Sequence, residues 1–341
     1  MWTTSACHSL RFRTHALSRP ISKVIYNPDS PCYVAKGDSM SKSWKETLDA
    51  GEILLIDGAM GTELQRRGVP MDSEAWSGAA ARSHAETVRA IHEDYIRAGA
   101  RVIIANTFGS NRLMLEGSGL GDEVRAINIR AVESALEARE NQGGSAVTVA
   151  GSISSMPPGF DWTAYPKENV ELEAYRELAG ILAESGVDVI ALEMMMEDKH
   201  APLAMKAAVE TGLPVWLGVS CKEHPDTQEI VSFSHIDVPF DVVLDAIIPM
   251  GPDVVNIMHS EIQTIPRAIE MVQERWKGYL GVYPESGHFA KPNWNFVDTI
   301  SPDDLAIEAQ SWINSGVQIL GGCCGTGPQH ITALSRICKG G

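Results

Sequence analysis

The sequence predicts a single-domain α/β protein, a (β/α)8 TIM barrel. Three observations predict it: eight short apolar runs with no polar face, amphipathic stretches between them, and glycines placed where helices should stop. Runs apolar on both faces belong to a buried parallel sheet, whereas strands of a half-exposed antiparallel sheet alternate. Eight such runs, each followed by a helical pattern, close into a barrel. The competing architecture is an open doubly wound sheet. Its dinucleotide fingerprint is missing, because Gly58, Gly61 and the residues between them do not space as G-x-G-x-x-G.

In chain order the expected strands are residues 53–56, 102–105, 147–150, 189–192, 215–219, 254–257, 279–282 and 317–320. Helical periodicity covers 86–98, 123–140, 171–184 and 303–314, among others. Gly99, Gly186, Gly212, Gly278 and Gly316 fall just before strands, where a left-handed residue ends a helix. Ser301-Pro302-Asp303-Asp304 reads as a helix start, with a cap, a first-turn proline and acids at the positive end of the dipole.

The barrel is expected over residues 44–338, and residues 1–43 are set apart as an extension. From Met1 to Pro28 there is no acidic residue, while Arg11, Arg13, Arg19 and Lys23 stand among serines and threonines. That composition fits a start assigned too early, with Met40 opening the protein, and a cytoplasmic location. It also fits a mitochondrial transit peptide over residues 1–39, although no clean amphipathic pattern accompanies it. A net charge of −16 argues against nucleic acid and against an anionic membrane surface. No apolar stretch approaches the ~20 residues needed to span a bilayer. The expected partners are small molecules, with a second copy of the chain as the remaining candidate.

In a barrel, chemistry sits where strands end. The first strand runs into Asp57-Gly58-Ala59-Met60-Gly61-Thr62, and a carboxylate there is desolvated unless it binds something; capping the next helix is the plainer role. The second ends in Asn106-Thr107-Phe108, the third in Gly151-Ser152 and the fourth in Glu193, which projects into the mouth unless a structural ion pair takes it up. Met194-Met195-Met196 reads as filler of core gaps. The sixth strand ends Val255-Asn256-Ile257-Met258-His259, and the seventh runs into a rim turn at Tyr283-Pro284-Glu285-Ser286-Gly287. Trp162 and Trp294, in long loops, could face an onium methyl group, with loop packing as the plainer role.

After the eighth strand come Gly321-Gly322-Cys323-Cys324-Gly325. Two thiolates on neighbouring residues, between glycines that let the backbone bend, can face one soft metal ion; otherwise they are buried small apolar groups. Cys7, Cys32, Cys221 and Cys338 are scattered without regular spacing, so a disulfide framework is not expected.

Together Asp57-Gly58-Ala59-Met60-Gly61-Thr62-Glu63-Leu64, Ala105-Asn106-Thr107-Phe108, Glu193 and Gly321-Gly322-Cys323-Cys324-Gly325 resemble the homocysteine S-methyltransferase family. The resemblance covers roughly residues 44–337, with the motifs in the family's order. It implies a barrel that holds Zn2+ through three cysteines at its mouth. It further implies that a homocysteine sulfur fills the remaining position and takes a methyl group from a sulfonium, quaternary ammonium or corrinoid donor. By position Glu193 would hold the amino-acid ammonium, with Asp57, Thr107 and Asn256 completing substrate binding.

One family feature is missing. The first zinc cysteine follows an asparagine at the end of strand six, where this chain has Asn256-Ile257, and a hydrocarbon coordinates nothing. Cys323 and Cys324 alone would hold zinc poorly, since catalytic sites use three protein ligands and an open position. Two substitutes stand open: His259, if the strand curls back, and Cys221 from the neighbouring strand end. The functional expectation is therefore a homocysteine methyltransferase with an altered metal site. The alternative, prompted by Ile257, is a barrel that binds an amino-acid-like ligand without transfer.

Overall fold

The computed structural model describes residues 42–157, 161, 163–290 and 295–338. The expected N-terminal extension lies, up to residue 41, outside them, as do Trp162 and Trp294. Eight parallel strands form one sheet: β1 Leu54–Leu55, β2 Val102–Ile104, β3 Thr148–Ser154, β4 Val189–Met195, β5 Val215–Val219, β6 Val254–Glu261, β7 Tyr279–Glu285 and β8 Ile319–Leu320. Their order is β1-β8-β7-β6-β5-β4-β3-β2, and a parallel bridge between Ile56 and Val102 brings the two ends together. The chain is a (β/α)8 barrel, as its pattern predicts.

Alternation along each strand sorts the side chains into two layers. Leu54, Val102, Val189, Trp216, Val254 and Ile319 fill the barrel interior. Leu55, Ile103, Ile190, Leu217, Val255 and Leu320 pack outward among the helices. The bottom of the barrel is plugged by α1 (Trp44–Asp49), whose Trp44 meets Trp216 edge-on with ring centroids 5.4 Å apart. A reciprocal cap starts that helix: Ser43 Oγ accepts from Glu46 N, and Ser43 N donates to Glu46 Oε2 at 2.7 Å.

The punctuation behaves as expected with one exception. Gly99, Gly186, Gly212 and Gly316 adopt positive φ. Gly278 does not: the helix before it, Ile265–Arg275, ends at an extended Trp276, so the chain enters β7 without a left-handed turn. Ser301 caps Pro302–Asn314 by accepting from Asp304 N at 3.1 Å.

Several strands run past their expected ends. β3, β4, β6 and β7 continue through Ser154, Glu193, His259 and Glu285, because the ladders keep pairing there, Ser154 with Glu193 and Glu261 with Glu285. Two hairpins, Cys221–Glu223 with Ile230–Ser232 and His288–Ala290 with Asn295–Val297, follow β5 and β7. They carry Phe233, His288 and Phe296 to the wall of the mouth. Among the described residues no helix is long and apolar enough to cross a membrane.

Candidate active site at the barrel mouth

A cavity of about 420 Å³ opens at the carboxyl ends of the strands. The cysteine loop forms one wall. Gly322 N donates to Asp57 O at 3.1 Å, Cys323 N to Pro284 O at 2.9 Å, and Ser286 N to Cys324 O at 2.9 Å, which clamps the loop between β1 and β7. Gly325 turns the chain at φ +81°, and a Cβ there would stand 2.1 Å from Ser286 O. Only glycine fits that turn without displacing the backbone.

Facing the loop is His259. Its φ of +42° is left-handed, and it lies where the β6–β7 register shifts between Met258 and Glu261. Such a bulge breaks the two-residue alternation and re-aims a side chain. Met258 and His259 consequently both line the cavity, although they are consecutive. β4 repeats the device: Met194, at φ +57°, sits in the shift between Leu192 and Met195 and also lines the cavity, while Met195 stays in the outer core.

The donor atoms of His259, Cys323 and Cys324 all lie within 4.8 Å of one another. Cys323 Sγ is 3.5 Å from His259 Nδ1. Tetrahedral zinc with Zn–S ~2.3 Å and Zn–N ~2.0 Å sets its donors roughly 3.5–3.8 Å apart, a spacing that the Cys323–His259 pair meets. The other imidazole nitrogen, Nε2, lies 3.2 Å from Glu285 Oε2, and the Phe233 ring tilts against the imidazole at 4.8 Å. A carboxylate behind a histidine fixes its tautomer and orientation for a metal. Burial lowers the His259 pKa, but Glu285 and Cys323 outweigh it and raise the value to about 9. The neighbouring Cys324 and burial push the Cys323 thiol well above its ordinary range, so a nearby cation is needed to hold it as a thiolate.

Two further carboxylates line the cavity. Glu193 accepts from Ser152 Oγ and from the Tyr283 hydroxyl. Burial raises its pKa to about 7 against the opposing pull of Ser152, His259 and Tyr283. Asp57 Oδ2 accepts from Ile104 N at 2.9 Å, and burial again lifts its carboxyl well above the usual range. With Glu261 and Glu285 they make four acids in the lining, and no Lys or Arg appears among the described lining residues. Trp76, Phe108 and Phe233 supply aromatic faces.

The expected site residues divide. Asp57, Glu193, His259, Cys323 and Cys324 meet at the cavity. Thr107 does not line it: its Oγ1 donates to Ser152 O at 2.8 Å and accepts from Ser152 N at 2.9 Å, tying β2 to β3, and Asn106 lines the cavity instead. Asn256 is buried lower in the barrel against Gly281, beneath Met258. Cys221 cannot serve as third ligand as placed. It is fully buried in the outer core, where burial pushes its thiol up to about 12. Ile257 also faces the helix layer, among the outer core residues, so a cysteine at that position would point away from Cys323. Tyr283 and Glu285, read from sequence as part of a rim turn, are working parts of the wall. Their signal was the apolar run carrying on through Tyr283.

Comparison with known proteins follows the same lines. The family described as homocysteine S-methyltransferase matches residues 54–338. A homocysteine S-methyltransferase 2 of Zea mays is 27% identical, with 89% of this chain and 95% of that protein covered. A selenocysteine methyltransferase of Astragalus bisulcatus is 25% identical over 86% of this chain and 94% of its own length. Among solved structures, the metallated form of the homocysteine methyltransferase MmuM from Escherichia coli superposes with a TM-score of 0.66. It is 25% identical, and the match covers 85% of this chain and 98% of that one.

Proposed function

The chain belongs to the homocysteine S-methyltransferase family and is a methyltransferase enzyme, and from that premise we propose that it methylates homocysteine from an onium donor at a zinc site built of His259, Cys323 and Cys324. The observation that carries this reading is the gathering of those three donors beside a carboxylate-lined cavity. The chemistry zinc supplies when bound is Lewis-acid ionisation of a thiol, which otherwise stays mostly protonated near pKa ~8.5.

The chain's own residues do the rest. Glu285 holds the imidazole of His259 so that Nδ1 faces the thiols. Glu193 and Asp57 accept the ammonium of the amino acid and so aim its sulfur towards the cysteine loop. Met194, Met258 and Phe233 exclude water from the reacting atoms. The acidic, aromatic wall favours a cationic donor, because a sulfonium or quaternary ammonium is attracted both by carboxylates and by ring faces. In the transfer itself the acceptor thiolate attacks the methyl carbon in line. The new S–C bond forms as the donor's C–S or C–N bond breaks, and the bonding pair leaves with the donor, which becomes neutral at that centre.

The test is direct. Zinc-loaded protein given homocysteine and S-methylmethionine or a betaine should form methionine, and chelation should abolish it. Zinc-loaded protein that turns over no onium donor contradicts the reading. The binding-only alternative was prompted by Ile257, whose side chain points out of the site.

A further inference from the structure

Behind Asp57 stands a histidine that nothing so far accounts for. His92 lies on α2 (Ala80–Ala98), has no exposed surface, and neither ring nitrogen has a hydrogen-bond partner among the described residues. Buried polar side chains are almost always paired, so an orphan calls for a reason. Its Nδ1 is 4.0 Å from Asp57 Oδ2, close enough to be aimed and too far to be bonded. One turn along the same face, Tyr95 donates to Ala59 O at 3.0 Å, which pins this face of α2 to the turn that follows Asp57. The approach is therefore built into the packing.

The chemistry of the pair is specific. Burial lowers the His92 pKa to about 3, so the ring is neutral and one nitrogen carries a proton to donate. Asp57 Oδ2 accepts from Ile104 N, and a carboxylate oxygen, with two lone pairs, has the capacity to take a second donor. A neutral carboxyl attracts a donor weakly; one ionised opposite an ammonium attracts it about twice as strongly.

We propose that His92 is a positioning residue for the acceptor's ammonium: its Nδ1–H closes onto Asp57 Oδ2 when a cationic amine occupies the cavity, and holds that carboxylate towards the amine. The inference rests on the proposed placing of the amine at Asp57, and its test separates the two. Calorimetry on the full-length zinc-loaded chain would use homocysteine and 4-mercaptobutyrate, which keeps thiol and carboxylate but lacks the amine. His92→Gln, whose amide falls near the Nε2 position, should weaken homocysteine about tenfold, the scale of one charge-assisted hydrogen bond, and leave 4-mercaptobutyrate unchanged. His92→Asn, whose amide mimics Nδ1, should keep homocysteine affinity within about threefold. His92→Leu should repeat the Gln result with no loss of melting temperature, because it removes an unpaired polar ring.

Equal weakening of both ligands, or of neither, overturns the role of His92. Failure of the Asn variant to rescue overturns it too. If Asp57→Asn leaves homocysteine affinity unchanged, the amine does not sit at Asp57, and the placing falls together with the inference.

Discussion

A left-handed backbone at His259 decides which side chain of β6 reaches the cysteine loop. Non-glycine residues with positive φ are uncommon, and they persist where the surroundings over-determine them. Here Glu285, Phe233 and Cys323 hold the ring. His259→Ala should therefore abolish tight zinc retention, while Ile257→Cys should leave zinc content unchanged, both read by metal analysis after dialysis. Restored zinc in the double variant His259→Ala/Ile257→Cys would contradict the outward placing of Ile257. Glu193 gives a pH prediction. An ammonium binds the ionised carboxylate, and with a pKa of about 7 that form is lost as pH falls. Binding of methionine, which has no thiol to titrate, should weaken below that pH by at most about tenfold per unit. Glu193→Gln should bind methionine more weakly and remove the Glu193 step from the profile. At this scale the sequence was partly legible: Asp57, Glu193, Cys323 and Cys324 stand out as polar residues after apolar runs. The turn at His259 has no local signal, since neither glycine nor proline marks it. Hence the period of two could not say whether His259 or Cys221 completes the set.

The loop from Gly321 to Thr326 behaves as one element. Its amides bond to β1 and β7, Thr326 N and Oγ1 both return to Cys323 O, and Gly325 N donates to Thr62 Oγ1 at 3.2 Å. Gly325→Ala would combine a strained φ with a clash against Ser286 O. It should destabilise the protein by at least about 2 kcal/mol and loosen the metal, seen together in denaturant melts and zinc affinity. Strands and long helices were legible because each buries one face or two, and burial writes a period into the sequence. The hairpins after β5 and β7 were not, being short and set by tertiary packing. β7 extends through Pro284, which lacks an amide proton but still accepts from Cys323 N, so a residue that reads as a turn stays in the strand.

For the molecule as a whole, the barrel supplies a rigid ring of strand ends, and the chain's excess of acid extends into the mouth. At the proposed zinc site, metal binding and folding are linked thermodynamically. Zinc at a thousandfold excess over its Kd should stabilise the native chain by about 4 kcal/mol, less whatever the unfolded thiols bind, so chelation should lower the melting temperature by several degrees. The most direct measurement of the central claim is zinc stoichiometry combined with X-ray absorption at the zinc edge. One zinc per chain, with two sulfurs and one imidazole nitrogen from the protein and an added sulfur on homocysteine binding, is the predicted result. A chain that retains no zinc, or holds it without imidazole, would contradict the account.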